Sequence, residues 1–292
     1  LTSLKSSISD EYKKNFKGTI KVKYNFGECT FNARIRKNGD WKDHIQLLEG
    51  GKLNTSLDIH LYDGNILNSI DFKLLIPETR NGINEIIGTV LLKDLGFLTP
   101  ETFYVRTKLN DYQTLMIFQE EAEKELLEKN NRREGPIFEG DESLLWNYKD
   151  FDEFELEQVA LARLVNKNFS VKNKKTAITS LSSFLKIQNS YLEYVYNKSI
   201  NNEHEIFLQP NSKLNSDIFF KYHLILMALN GEHALRPHNR KFYYNTFIND
   251  FEPIYYDGDL QLEKLYEREF ISEKELNYIL LNLKKNEFQN IV

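Results

Sequence analysis

Apolar and polar residues alternate in three early stretches, "GTIKVKYNF" (18–26), "TFNARIRK" (30–37) and "TSLDIHLY" (55–62). That period of two predicts half-buried strands of an antiparallel meander. "SIDFKLLIP" (69–77) predicts another strand, closed by Pro77. "INEIIGTVLLKDLGF" (83–97) then changes to helical spacing and stops at Gly96. Two more strands are expected in "ETFYVRTKLNDYQTLMIFQE" (101–120), turning at Asn110 and Asp111. The first part is therefore read as a sheet with one inserted helix.

The period lengthens beyond it. "EEAEKELLEKNNRREG" (120–135) begins helically and breaks into a charged loop. "DEFELEQVALARLVN" (152–166), "AITSLSSFLKIQNSYLEYVYN" (177–197) and "SDIFFKYHLILMALNG" (216–231) all have helical spacing. "HNRKFYYNTFINDFEPIYYDGD" (238–259) predicts a β-hairpin embedded in this helical part. "SEKELNYILLNLKKNEFQNI" (272–291) predicts a last amphipathic helix capped by Ser272. The domain expectation is a β-rich first lobe, 1–120, and a mainly helical second lobe, 121–292.

Composition narrows the function classes. With 292 residues, 41% hydrophobic and 28% charged, the chain is long enough to bury a sizeable core as a soluble globular protein. A net charge of −5 argues against nucleic acid held by bulk electrostatics. One cysteine, Cys29, excludes an internal disulfide framework and a cysteine-rich zinc site. No apolar run has the length of a membrane span, and the first residues lack a signal peptide's apolar core.

The hairpin carries the densest chemistry. It aims His238, Asn239, Asp257 and Asp259 at one end, and two carboxylates plus an amide are hard-oxygen ligands suited to Mg²⁺. In extended backbone Asp257 and Asp259 would point the same way, with Gly258 leaving room between them. The competing reading is a solvated turn, since "YDGD" is good turn chemistry. "ETRNGINE" (78–85) gathers Arg80, Asn81, Asn84 and Glu85 at a helix start. It serves either as an anion contact or as a capping cluster with Thr79 or Asn81 as cap. Arg132 and Arg133 beside Glu139, Asp141 and Glu142 either line a substrate cleft or pair on the surface.

In order and spacing, "ARIRKNGDWKDH", "SLDIHL", "FKLLIPETRNGINEIIGTVLLKDLGFLTPETFYVRTKLN", "MIFQEE", "NNRREGPIFEGDESLLW", "HNRKFYYN" and "PIYYDGD" resemble the CotH-like (spore coat protein H) family of atypical kinases. The resemblance extends from about residue 18 to about 262. It implies an α+β, bilobal, atypical protein-kinase-like fold: an antiparallel β-rich N-lobe with an inserted helix, and a mainly helical C-lobe carrying a β-hairpin. It implies an ATP- and Mg-dependent phosphotransferase, with Mn as a substitute metal, acting on a hydroxyl of a protein or surface glycan at the cell surface or envelope.

"YYDGD" looks like the family's D-x-D, so Asp257, Asp259 and Asn239 are the implied metal ligands. Glu232, in "NGEHALRPHN", stands where an acidic base is expected, with His233 as runner-up; His238 is read as an orienting hydrogen-bonder. Lys73 is the first choice for the phosphate-binding cation, then Arg36, with Arg34 and Lys52 also on offer. An exposed strand lysine with no special role is the alternative for Lys73. Glu120 and Glu121 match the acidic residue near the nucleotide-binding junction, or else simply open a helix. The chain departs from the family where Asp58 and His60 replace an expected basic residue. That departure keeps a second function open, a catalytically silent surface-assembly protein retaining the kinase scaffold.

Overall fold

A computed structural model describes residues 8, 10–109, 111–143, 159–200, 208–210 and 216–263. The chain is mixed α+β and divides into two compact units. Unit 1 comprises residues 1–89 and 100–121, and unit 2 comprises residues 90–99 and 122–292.

Unit 1 is built on a curled antiparallel sheet in the order β1-β2-β5-β6-β8-β7. Its strands are β1 (Phe16–Tyr24), β2 (Gly27–Lys37), β5 (Leu57–Leu61), β6 (Asp71–Leu75), β7 (Thr102–Leu109) and β8 (Tyr112–Glu120). Alternation puts Ala33, Ile35, Ile59, Leu61, Phe72 and Phe118 on one face, where they form the core of the unit. The outermost strand β1 exposes Lys17, Lys21 and Lys23, a charge pattern that discourages edge-to-edge pairing. The stretch 55–62 is not one strand. Buried Ser56 interrupts it by accepting the Ile76 N–H on its hydroxyl at 3.1 Å. The preceding residues form β4 (Leu53–Thr55), paired in a separate small hairpin with β3 (Ile45–Leu47).

Unit 2 contains a four-stranded antiparallel sheet, β10-β9-β11-β12, rather than an isolated hairpin. Its strands are β9 (Ile137–Gly140), β10 (Ala162–Leu164), β11 (Lys241–Asn245) and β12 (Asp250–Ile254). Pro253 is accommodated because β12 lies at the edge of the sheet. The helical spacing at 152–166 is overridden where it is described. Ala162–Leu164 pairs with β9, and Gln188 satisfies the neighbouring backbone by accepting the Ala162 N–H at 3.0 Å and donating to the Ala160 carbonyl at 2.7 Å. Sheet pairing on one side and a side-chain amide on the other outweigh local propensity.

Helix α1 (Ile83–Asp94) is followed by α2 (Lys124–Lys129), after which the chain runs as a loop, as the pattern at 120–135 predicts. Then come α3 (Lys167–Val171), α4 (Lys174–Ile200) and α5 (Ser216–Ala228). Helix α4 buries Ile187, Tyr191 and Tyr194 with Phe138, Phe242 and Phe251 of the sheet. Helix α5 buries Phe219 in that cluster and Phe220, Tyr222, Leu226 and Met227 in another that includes Leu260. Each such burial stabilises the fold by about 1.5–3 kcal/mol. The helix expected at 272–291 lies outside the described residues. Among the described residues no helix is long and apolar enough to cross a membrane.

Candidate functional site

In unit 2 the candidate residues gather at the open end of the β11–β12 hairpin, away from its turn. His238 and Asn239 lead into β11 and Asp257 and Asp259 follow β12, while the register matches Lys241 to Ile254. A 3-10 turn, Glu232–Leu235, completes the group. His233 Nε2 lies 3.7 Å from Asp257 Oδ2, and its ring packs edge-on against His238 at 6.1 Å. The Asn239 side-chain N–H donates to the His233 carbonyl at 3.3 Å. Asp257 is buried; Asp259, Asn239, His233 and Glu232 are half-buried.

The expectation of extended backbone through Asp257 and Asp259 does not hold. Both residues are left-handed, with φ of 51° and 49°. Side chains that enter αL cost conformational energy, and Asp is among the few residues that tolerate it. The loop is held on several sides. Gly258 sits so close to Tyr255 that a Cβ there would meet the phenol oxygen at 2.5 Å. The Tyr256 ring lies over the Lys241 ammonium at 4.4 Å, and Leu260 is fully buried.

The opposing turn is equally fixed. Tyr191 donates its hydroxyl to the Pro237 carbonyl at 2.9 Å. Gly140 packs so tightly that a Cβ would fall 2.4 Å from that carbonyl and 2.9 Å from His238 Cα. The Arg240 guanidinium is 1% exposed and enclosed by Phe219, Tyr222 and Phe242 at 5.2–6.0 Å, with His223 Nε2 at 2.5 Å from Nη1. Burial lowers the Arg240 pKa to about 10. Burial also pushes His223 well below its ordinary value, and the neighbouring Arg240 adds to the effect.

Sequence reasoning missed the buried charge pairs behind this loop. Glu139 joins Lys241, its partner across the sheet, and Arg163 at 2.6 Å. Arg132 instead pairs with Glu252 at 2.8 Å. Arg132 and Glu139 thus take partners other than each other, unlike the local surface pair that is one of the two readings of this stretch. Strand register, unseen in the linear pattern, selects the partners.

In unit 1 the candidate cations share the polar face of the sheet. Register aligns Arg36, Asp58, Lys73 and Gln119 in one row, and Arg34, His60 and Asp71 in the next, with the Glu121 amide donating to the Asp71 carbonyl. Arg36 pairs with Asp58 at 2.5 Å, His60 with Asp71 at 2.7 Å and Lys73 with Glu121 at 2.7 Å. Asp58 therefore stands between two cations, Arg36 and Lys73. Burial raises the Asp71 pKa, against the lowering effect of its hydrogen bond from His60.

Glu85 of α1 is fully buried and accepts from the Gln119 amide at 2.9 Å, so it does not act as an exposed capping group. Thr79 does not cap α1 either: its hydroxyl donates to the Ile76 carbonyl at 2.7 Å. Glu120 turns inward, accepting from the Ser69 hydroxyl and the Glu101 N–H, both at 3.1 Å. Its carboxylate is therefore engaged within unit 1. Lys52 is exposed at the tip of the small β3–β4 hairpin, off the main sheet.

Among the described residues no group of three or more His, Cys, Asp and Glu side chains is arranged to hold a metal ion. The candidate set of Asn239, Asp257 and Asp259 is a different kind, two carboxylates and one amide. Its oxygen donors, with the Asn239 nitrogen already engaged by His233, suit a small hard cation. No protein-family model and no curated protein matches the chain.

Proposed function

We propose that this chain is an ATP- and magnesium-dependent phosphotransferase of the CotH-like kind, with a hydroxyl of a protein or surface glycan as acceptor. The observation that carries the reading is the convergence of His233, Asn239 and buried Asp257 at the open end of one hairpin, with Asp257 and Asp259 in left-handed conformations. Unfavourable backbone geometry persists where surrounding packing over-determines it, and such places cluster at functional sites.

In this reading Asp257, Asp259 and the Asn239 oxygen hold magnesium, or manganese in its place. When bound, the ion offsets negative charge on the nucleotide phosphates. For unit 1 the resemblance assigns phosphate-oxygen binding to Lys73, which pairs with Glu121, with Arg36 as second choice on the far side of Asp58 in the same row. Glu232 takes the acceptor hydroxyl's proton, with His233 as the alternative base. The acceptor oxygen bonds to the γ-phosphorus as the bridging P–O bond breaks, and ADP leaves.

A second reading, a silent scaffold used in surface assembly, draws on the same ion pairs. Arg36 and Lys73 both have carboxylate partners without nucleotide. Transfer of labelled γ-phosphate and thermal shift with ATP and Mg²⁺ separate the two readings. The phosphotransferase predicts a raised melting temperature and transfer that Asp257→Ala abolishes while far-UV circular dichroism is unchanged. Absence of any shift with ATP and Mg²⁺ supports the scaffold, and unchanged transfer in Asp257→Ala defeats the metal assignment.

A further inference from the structure

Lys241 opens β11 and lies opposite Ile254, the last residue of β12, so it stands where the hairpin gives way to the loop of Asp257 and Asp259. It is 5% exposed, and its ammonium is held by a charge and by a ring. The Glu139 carboxylate of β9 gives Oε2 to Lys241 and Oε1 to Arg163 of β10, the latter at 2.9 Å from Nε. The Tyr256 ring lies over the same ammonium, its centroid at 4.4 Å. An ammonium withdrawn from water attracts an aromatic face more strongly than a hydrated one. Tyr256 immediately precedes Asp257, where the backbone turns left-handed. A ring anchored at 256 therefore fixes the point from which the loop leaves the sheet.

We infer that Lys241 is a positioning residue for the metal loop, acting through the Tyr256 ring on the Asp257 carboxylate. This rests on the reading of Asp257, Asp259 and Asn239 as ligands of a hard divalent cation. Glu139 and Arg163 hold the ammonium in place, the ammonium holds the ring, and the ring holds the backbone that presents Asp257. Glu139 also keeps Lys241 charged in a nearly dry site, since an ammonium there is costly without a counter-charge. The charge matters as well as the volume: a methionine fills similar space but does not draw the ring's face onto itself. On the neighbouring residue the hold is of another kind. Tyr255 is fully buried and closes on Gly258 by packing. Consecutive rings thus clamp the loop, one by core contact and one by charge. Groups that orient a metal ligand from behind change metal affinity by about 10–100-fold when removed.

The test titrates the full chain with Mn²⁺ and follows thermal unfolding of the same samples. Tyr256→Phe keeps the ring and is expected to bind Mn²⁺ within about twofold of the parent. Tyr256→Leu removes it, and the affinity is expected to fall at least about tenfold. Glu139→Met with Lys241→Met removes the charge without stranding its counter-charge, so the chain folds, and the same loss of affinity is expected. Arg132→Met is the control for a merely structural role. It breaks the ion pair to Glu252 in the same sheet, and is expected to lower the melting temperature while leaving Mn²⁺ affinity unchanged. A parent chain that binds no Mn²⁺ overturns the metal reading and this role with it. Bound Mn²⁺ whose affinity is unchanged in Tyr256→Leu and in the double Met variant overturns this role alone. So does an affinity that simply tracks melting temperature through all four variants.

Discussion

Replacing His223 with glutamine is expected to make the protein less sensitive to mild acid, although the residue is fully buried and far from any titrating surface. His223 is 0% exposed, and its Nε2 faces the Arg240 guanidinium at 2.5 Å. Desolvation, then the Arg240 charge, hold the imidazole neutral well below its ordinary value near 6.5. The unfolded chain protonates this histidine near 6.5 and the native chain does not. The unfolded state therefore binds more protons below that pH, and stability is present above 6.5 and lost as pH falls toward the depressed native value. One proton's difference amounts to about 1.4 kcal/mol per pH unit, or a melting temperature lower by about 3–6 °C per pH unit for a body of this size. Glutamine keeps an acceptor for Arg240 but does not titrate. Calorimetry of both proteins from pH 7.5 to 5.0 at one concentration is expected to give melting temperatures whose difference narrows steadily below 6.5. A difference that stays constant across that range would refute the reasoning.

Other consequences follow from close packing and buried charge. Gly140→Ala forces a methyl against the Pro237 carbonyl and is expected to cost about 1–3 kcal/mol in urea denaturation, with no change in m. Glu139→Gln leaves the Lys241 ammonium, 5% exposed, without its counter-charge. The expected loss is about 3–5 kcal/mol, whereas Glu139→Met with Lys241→Met should recover most of it. Lys73→Met is expected to reduce phosphate transfer at least tenfold while leaving metal affinity unchanged, read by labelled-phosphate transfer and metal titration in parallel.

Periodicity made the first sheet legible: the alternation at 18–26, 30–37 and 101–120 lies over strands β1, β2, β7 and β8. It missed the division at Ser56 because a side-chain hydroxyl accepting from Ile76 is a tertiary event. Strand β10 was illegible for a similar reason, since its pairing with β9 and its Gln188 contacts come from residues 20 or more positions away. At the candidate site, the residue types and the hairpin's open end could be read from "HNRKF" and "YYDGD". The left-handed backbone at Asp257 and Asp259 could not, because it follows from Tyr255 closing on Gly258 and from Leu260 anchoring in the core. Arg240 shows the limit most plainly. In sequence it is a polar residue before a strand, and only the folded chain encloses it in three aromatic rings.

Electron paramagnetic resonance of Mn²⁺ added to the full chain tests the central claim most directly, because free and bound manganese are counted without reference to turnover. One bound ion per chain is expected, displaced by Mg²⁺, and lost together in Asp257→Asn and Asp259→Asn with the fold preserved. Manganese that remains entirely free, or that binds those variants as tightly as the parent, would contradict a metal site at the open end of this hairpin.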